Sequence, residues 1–585
     1  MILMIVGHVG AWLLAIALAQ RLKIGGGAAA LATAAFVLHA LLVTLIVLVS
    51  GSAGMLGPWP LAAGGVASGI AGALIGRFDP RPLRQTAREM WAESPAAVAS
   101  CLALLALVTV RHLYNAWYHC PPTQDEMEYH LPKLALWIQH GTLARPESID
   151  LRTYFPAGMQ LLQAWWVGFA RNDFLIEGAS LEMALLALFA CAALVRRLGG
   201  TRSSALLAGT LFVAMPAALL NGTTALNDFP VAAMILAGFA LTSSRSALVV
   251  AASSVMLGAG IKPLALFALP GLLLAWIPAW REAKPLDLPR LAPWALIALA
   301  AFGGSYWYLR NAAQFGNPFY PVTPAVAGRS ETLTEGLGQT STGPNVRNLG
   351  GNLGAIFGPR MVNLGSVTNP SLPRQTGWGW LLTLAGLPAI AWMAWRDPKW
   401  RRTAAAFAVS LLFVLLLVQV DDYTARFVLF LPGLMACVVA SLPRTAVVAS
   451  VACAASLANV WETRVPLTFS NPGAAAHMRS VDPLERDCWT IRFAAAPPAL
   501  RAFYTSTEPV MAMTFNYDVY ALARGDYRRR VEHIVPRDAD ELLAAMDRLQ
   551  CRWLVVTSRK LLPITDAAVV AGRLRIIAPG HYERR

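Results

Sequence analysis

Asp125, Glu126 and Glu128 crowd three carboxylates into TQDEMEYHLPK (residues 123–133), directly after a long apolar segment and beside Tyr129 and His130. Carboxylates are costly to bury near lipid, so their expected home is a polar site at a membrane surface. Asp125 could there take a proton from a hydroxyl or amine nucleophile, with Tyr129 and His130 at hand. It also precedes a plausible helix, where an acid serves equally well as an N-cap. Glu126, next in sequence, faces another way if this turn is helical. His130 could assist the chemistry, bind a metal, or simply pack.

Four more charged residues stand out from apolar surroundings. Asp228, in NGTTALNDFPVAAM, opens an apolar segment; with Asn227 it either caps a helix or supplies a second acid to the same site. Lys262, in GAGIKPLALFALP, interrupts more than thirty apolar residues, and an isolated lysine in such a setting is a functional candidate unless it snorkels to the surface. Arg310, in SYWYLRNAAQFGNPFYP, and Arg426, in DDYTARFVLFLP, offer guanidinium groups suited to phosphate. Arg426 could instead pair with Asp421 or Asp422. One acid with three cations on the same side suggests a polar acceptor and an anionic, lipid-borne donor. A divalent ion could sit between Asp125 and Asp228, but Lys and Arg can neutralise a lipid phosphate alone, so no cofactor is expected to be required. No Gly-rich nucleotide fingerprint stands in a strand–helix setting.

The elements that must hold these residues are membrane spans. Of 585 residues 56% are hydrophobic and only 14% charged, against about 25% charged in soluble domains. The net charge of +15 lies mostly in short loops between apolar runs, which argues for membrane topology rather than for nucleic acid. At roughly 20 apolar residues per span, about fourteen candidates begin near residues 3, 28, 57, 95, 174, 204, 228, 246, 263, 291, 377, 403, 426 and 445. Basic loops at 21–27, 77–94, 196–203, 281–290 and 396–402 alternate with loops at 51–56 and 221–228 that carry no basic residue. The positive-inside bias makes the basic set cytoplasmic. The acidic cluster, Asp228, residues 310–375, the N-terminus and the tail then all fall outside, in the periplasm.

Three regions follow: 1–94, with additional spans; 95–461, a transmembrane core with outer segments 114–173 and 310–375; and 462–585. In the first outer segment, 128–140 and 157–170 read as helices lying in the interface, where their tryptophans would sit. Trp137, Trp165, Trp166, Trp378 and Trp380 are expected mainly in the interfacial aromatic belt, or stacked on sugar rings. In the tail, strand-like 510–515 and 553–558 flank helical 538–550, predicting a small α/β domain. The chain has seven cysteines and no CxxC pair; Cys488 and Cys551 could form a disulfide in an oxidising compartment or remain two thiols.

The order PPTQDEMEYHLPKLALWIQHGTL, YFPAGMQLLQAWW, ALNDFP, IKPLAL, YLRNAAQFGNPFYP resembles the GT-C superfamily of membrane glycosyltransferases. It looks most like the bacterial branch of protein O-mannosyltransferases and lipid A aminoarabinose transferase, over residues 95–442. The resemblance implies a catalytic acid in the first large outer loop, here Asp125. It implies a polyprenyl-phosphate sugar as donor and a periplasmic glycan, lipid or protein as acceptor. Two departures stand out: about three spans precede the expected first one, and the usual Tyr-Pro-Pro is Phe155-Pro156-Ala157. The expected chemistry is an inverting displacement with Asp125 as base, Asp228, Glu126, Tyr129 and His130 on the acceptor side, and Lys262, Arg310 and Arg426 on the leaving phosphate. A polysaccharide polymerase or ligase would lead with Arg and His rather than carboxylates, and a transporter would carry charges near mid-bilayer.

Overall fold

Long apolar runs leave the backbone no partner but itself, so the chain solves its hydrogen bonding as helices. The computed structural model describes all residues except 77–78, 119–124, 144–150, 223, 283–291, 322–376, 418–423, 444, 463–497, 514–517, 524–526 and 557–560. Most of the 310–375 segment, Asp421, Asp422 and Cys488 therefore lie outside the described residues. The helices of the N-terminal half are α1 (Ile2–Arg21), α2 (Gly27–Ser52), α3 (Pro58–Ile75), α4 (Arg81–Glu93), α5 (Pro95–Tyr118), α6 (Leu131–His140), α7 (Gly158–Ala170), α8 (Gly178–Arg197), α9 (Arg202–Val213) and α10 (Pro216–Asn221). They continue as α11 (Asp228–Ala240), α12 (Arg245–Ile261), α13 (Leu264–Phe267), α14 (Leu269–Glu282), α15 (Ala292–Phe315), α16 (Trp380–Arg396), α17 (Pro398–Leu417), α18 (Phe430–Ala440) and α19 (Thr445–Glu462).

The expected count of fourteen spans is not what the helix lengths support. Among the described residues, six helical segments are long and apolar enough to cross a membrane: 2–21, 27–52, 58–75, 95–114, 173–197 and 398–417. Others are shorter because proline and glycine break them. The 245–282 stretch is interrupted at Pro263 and again at Ala268, giving α12, α13 and α14. The 202–221 stretch is broken before Pro216. α4 is of another kind: its polar helix buries no residue, and Glu89 and Glu93 pair with Arg202 at the start of α9.

Small residues set the closest approaches. A Cβ on Gly65 of α3 would lie 2.5 Å from the Gly7 carbonyl oxygen of α1, so only glycine lets these backbones touch. A Cβ on Gly260 of α12 would lie 2.8 Å from the Cα of Gly304 in α15, and one on Gly158 would meet the Gly260 carbonyl at 2.7 Å. Three helices thus converge two residues before Lys262.

The helices expected to lie in the interface are instead packed inside. α6 buries Leu131 to Ile138 without a gap, and α7 buries all but Trp166 and Ala170 among the residues from Gly158 on. Both sides of each helix find apolar neighbours, so there is no wet face. Trp137, Trp165 and Trp378 are core residues, each at most 1% exposed, not members of an aromatic belt. Trp137 stacks on Trp307 of α15 with ring centres 5.4 Å apart.

The tail forms the expected α/β unit. Strands β1 (Val510–Met513), β2 (Val531–His533), β3 (Trp553–Val556), β4 (Leu574–Ala578) and β5 (His581–Arg584) make one sheet of order β2-β1-β3-β5-β4. β1 pairs in parallel with β2 and β3, and β5 pairs antiparallel with β3 and β4. Helices α20 (Pro498–Thr505), α21 (Asp518–Ala523), α22 (Ala539–Arg548) and α23 (Leu562–Val570) accompany it. Cys551 is buried, and burial pushes its thiol up to about 11; its expected partner Cys488 lies outside the described residues.

Candidate active site

Asp125 is delivered by a local irregularity. Residues 126–130 form one π-helical turn before α6 takes over at Leu131, and such bulges re-aim side chains at functional sites. Asp228 is the first residue of α11, where the helix dipole favours an anion. Lys262 follows from Pro263: the residue before proline is pushed out of the helical region, and Lys262 is extended at φ −155°, ψ 137°. α12 ends there, and the side chain reaches Asp228. Arg426 lies on a 3-10 turn, Thr424–Val428, ahead of α18.

These four residues, up to 301 positions apart, form one buried network. Arg426 Nη2 donates to Asp125 Oδ2 at 2.5 Å, and its Nε lies 3.1 Å from Asp228 Oδ2. Lys262 Nζ donates to Asp228 Oδ1 at 2.5 Å and sits 3.6 Å from the centre of the Phe427 ring. Two acids balance two cations, as a buried cluster requires. Lys262 keeps 26% of its side chain exposed while the two acids and Arg426 keep 3–11%, so access to the cluster is from the lysine side.

Burial by itself drives the Asp125 carboxyl up, but Arg426, helped by Lys262 and Arg152, outweighs it and holds the group below the usual carboxylate range. Asp125 is ionised, ready to accept a proton. Tyr129 goes the other way: burial and the Asp125 charge push its phenol far up, so it stays protonated. Arg152 lies 4.7 Å from the Tyr129 ring centre, with Lys133 5.9 Å from it. Burial together with the charges of Lys133 and Lys262 lowers His130 well below its ordinary value. The imidazole is neutral, and Gln160 Nε2 donates to its Nδ1 at 3.2 Å. His130 is thereby held in place through Nδ1.

The second acceptor-side acid, Glu126, serves the backbone: its Oε1 accepts from Ala225 N through a short hydrogen bond. Gln160 also donates to Asn227 Oδ1 at 3.2 Å, and Gln163 to the Ala225 carbonyl at 3.3 Å. The 224–228 segment is thereby clamped so that Asp228 faces the network. Arg310 is not joined to the cluster; its guanidinium donates to the Leu143 carbonyl at 2.6 Å and lies over Trp307. Gln160, Gln163 and Arg152 were missed in the sequence. Two glutamines at i and i+3 of an otherwise apolar helix were the available signal for the first pair; nothing local marked Arg152.

The network lies in a fold already known. Over 83% of this chain and 98% of the other, the structure superposes with TM-score 0.50 on ArnT from Cupriavidus metallidurans bound to undecaprenyl phosphate, at 12% identity. The same protein in the apo state matches equally. An oligosaccharyltransferase from Archaeoglobus fulgidus matches over 80% of this chain at TM-score 0.39 and 12% identity. No protein-family model matches the sequence, and no curated protein matches it. The chain has the GT-C fold of ArnT: a polytopic helical membrane protein carrying a small C-terminal sheet domain.

Proposed function

We propose that a protein with this GT-C fold and this buried acid–base network is a glycosyltransferase. It moves a sugar from a polyprenyl-phosphate donor to a glycan, lipid or protein acceptor at the periplasmic face of a bacterial inner membrane. The observation that carries the reading is Arg426 bridging Asp125 and Asp228, with Lys262 at the accessible edge. The orientation rests on the basic loops: α8 ends at Arg196 and Arg197, whereas α11 opens at Asp228 in the site.

In the proposed step Asp125 takes the proton of the acceptor hydroxyl or amine while that oxygen or nitrogen bonds to the anomeric carbon. The bond from that carbon to the phosphate oxygen breaks on the opposite side, and its electron pair leaves with the polyprenyl phosphate. Lys262 and Arg426 neutralise the departing charge. A carboxylate held this low is a weak base. Donor phosphate drawing Arg426 toward itself loosens the pair on Asp125 and strengthens the base as the donor arrives. Asp228 holds both cations in place. Arg310, committed to Leu143, is left out of this step. The gap between Asp125 and Asp228 is filled by a guanidinium, which does not suit a bridging divalent ion, and no step is routed through one.

The test is transfer of radiolabelled sugar from polyprenyl-phosphate donors in membranes holding equal amounts of wild type and Asp125→Asn. Loss of transfer by about 10²- to 10⁴-fold in the variant is expected. Equal transfer by both would remove Asp125 as base, and no transfer from any such donor would sink the reading.

A further inference from the structure

A second buried constellation lies apart from these acids, among helices that the chemistry above does not use. His8 on α1, His39 on α2 and Glu182 on α8 each present one ligand atom, and these atoms lie within 4.8 Å of one another. Each comes from a different helix of membrane-crossing length and apolarity. His39 is 1% and Glu182 8% exposed. The His39 Nδ1 and Glu182 Oε1 atoms are 3.7 Å apart, too far for a hydrogen bond. The Nε2 atoms of both histidines are buried with no hydrogen-bond partner.

Aromatic rings wall the cluster. Trp12 stacks on His39 at 4.1 Å, and Trp166 lies 4.2 Å from the His8 ring. Phe169 and Trp165 close another side of His8. Inside such a wall two orphaned imidazole nitrogens are expensive unless something coordinates them. Two imidazoles and one carboxylate are the donor set of a borderline divalent transition ion, with a fourth position left open.

We propose that His8, His39 and Glu182 bind a divalent transition-metal ion of the zinc type, which fastens the N-terminal helix to the bundle. Two sets of contacts oppose binding: Trp12 and Trp166 reach the Glu182 carboxyl, and Trp165 reaches His8. Trp165 Nε1 donates to His8 Nδ1 at 3.2 Å, and coordination through His8 Nε2 moves the ring proton onto Nδ1. That forfeits one neutral hydrogen bond, a small loss beside three metal–ligand bonds. The three ligand atoms, all within 4.8 Å of one another, would close on one ion by side-chain rotation. The site is independent of the proposed sugar transfer, because none of its residues touches Asp125, Asp228, Lys262 or Arg426 among the described contacts.

The experiment uses the full chain in lipid nanodiscs, stripped with a chelator and titrated with zinc, counting bound metal per chain and following thermal unfolding. Wild type is expected to bind one zinc ion and to unfold at higher temperature with it. His8→Asn and Glu182→Gln are each expected to weaken binding by at least about 10-fold and to lose the zinc-dependent shift. Cobalt replacement adds a second readout, a visible absorption band in wild type that His8→Asn lacks. His8 is only half-buried, so its variant stays informative where loss of Glu182 unfolds the protein. No zinc bound by wild type, or the same affinity in all three proteins, overturns the proposal.

Discussion

Arg426 sets the chemistry of Asp125 by standing between it and Asp228. The sign of its effect on pH dependence follows directly. A carboxyl whose folded pKa is depressed contributes its ion pair above the unfolded value, near about 3.9, and loses it only as pH falls through the lower folded value. Wild type should therefore show no acid limb in kcat/KM, which reports the free enzyme, above about pH 4. In Arg426→Gln the desolvation that Arg426 outweighs is left dominant, the Asp125 pKa rises, and the acid limb moves up. The kcat/KM profile of the two proteins checks this; coincident limbs would free Asp125 from Arg426. The same variant leaves two buried acids short of a partner, so a stability loss of about 3–5 kcal/mol is expected beside it.

At the level of elements, the break between α12 and α13 is what aims Lys262. Pro263 keeps residue 262 extended, and the convergence of Gly158, Gly260 and Gly304 lets the broken end approach its neighbours. Pro263→Ala allows the helix to run on and turns Lys262 away from Asp228. Donor KM should rise and transfer fall, while helix content and thermal stability hold or increase. Circular dichroism with donor-concentration kinetics separates the two effects, and unchanged KM would show that the break has no part in donor binding. The π turn before α6 does the same for Asp125.

Across the whole molecule, the tail domain braces the segment that carries Asp125. Gln139 of α6 donates to the Arg529 carbonyl at 2.5 Å and accepts from Val531 N at 3.3 Å, capping the edge strand β2. Tyr520 of α21 donates to Asp173 at 3.1 Å. Gln139→Ala should cost about 1–2 kcal/mol and speed hydrogen exchange over residues 126–140. Exchange unchanged there would mean the tail is carried along rather than bracing.

The sequence by itself determined the membrane class, the α/β tail and the residues worth watching: Asp125, Asp228, Lys262 and Arg426 stood out because charge amid apolar residues is costly and therefore visible. Their partnership was decided only by tertiary structure. Nothing local says that Arg426 reaches Asp125 across 301 positions, or that Arg310 turns to Leu143 instead. The same holds for the burial of α6 and α7. Trp with polar neighbours reads alike in an interface and in a core, and only the helices packed around them settled which. His8, His39 and Glu182 are invisible for that reason too: each is the lone His, Asp or Glu of its own helix, and only three-helix packing makes them a cluster.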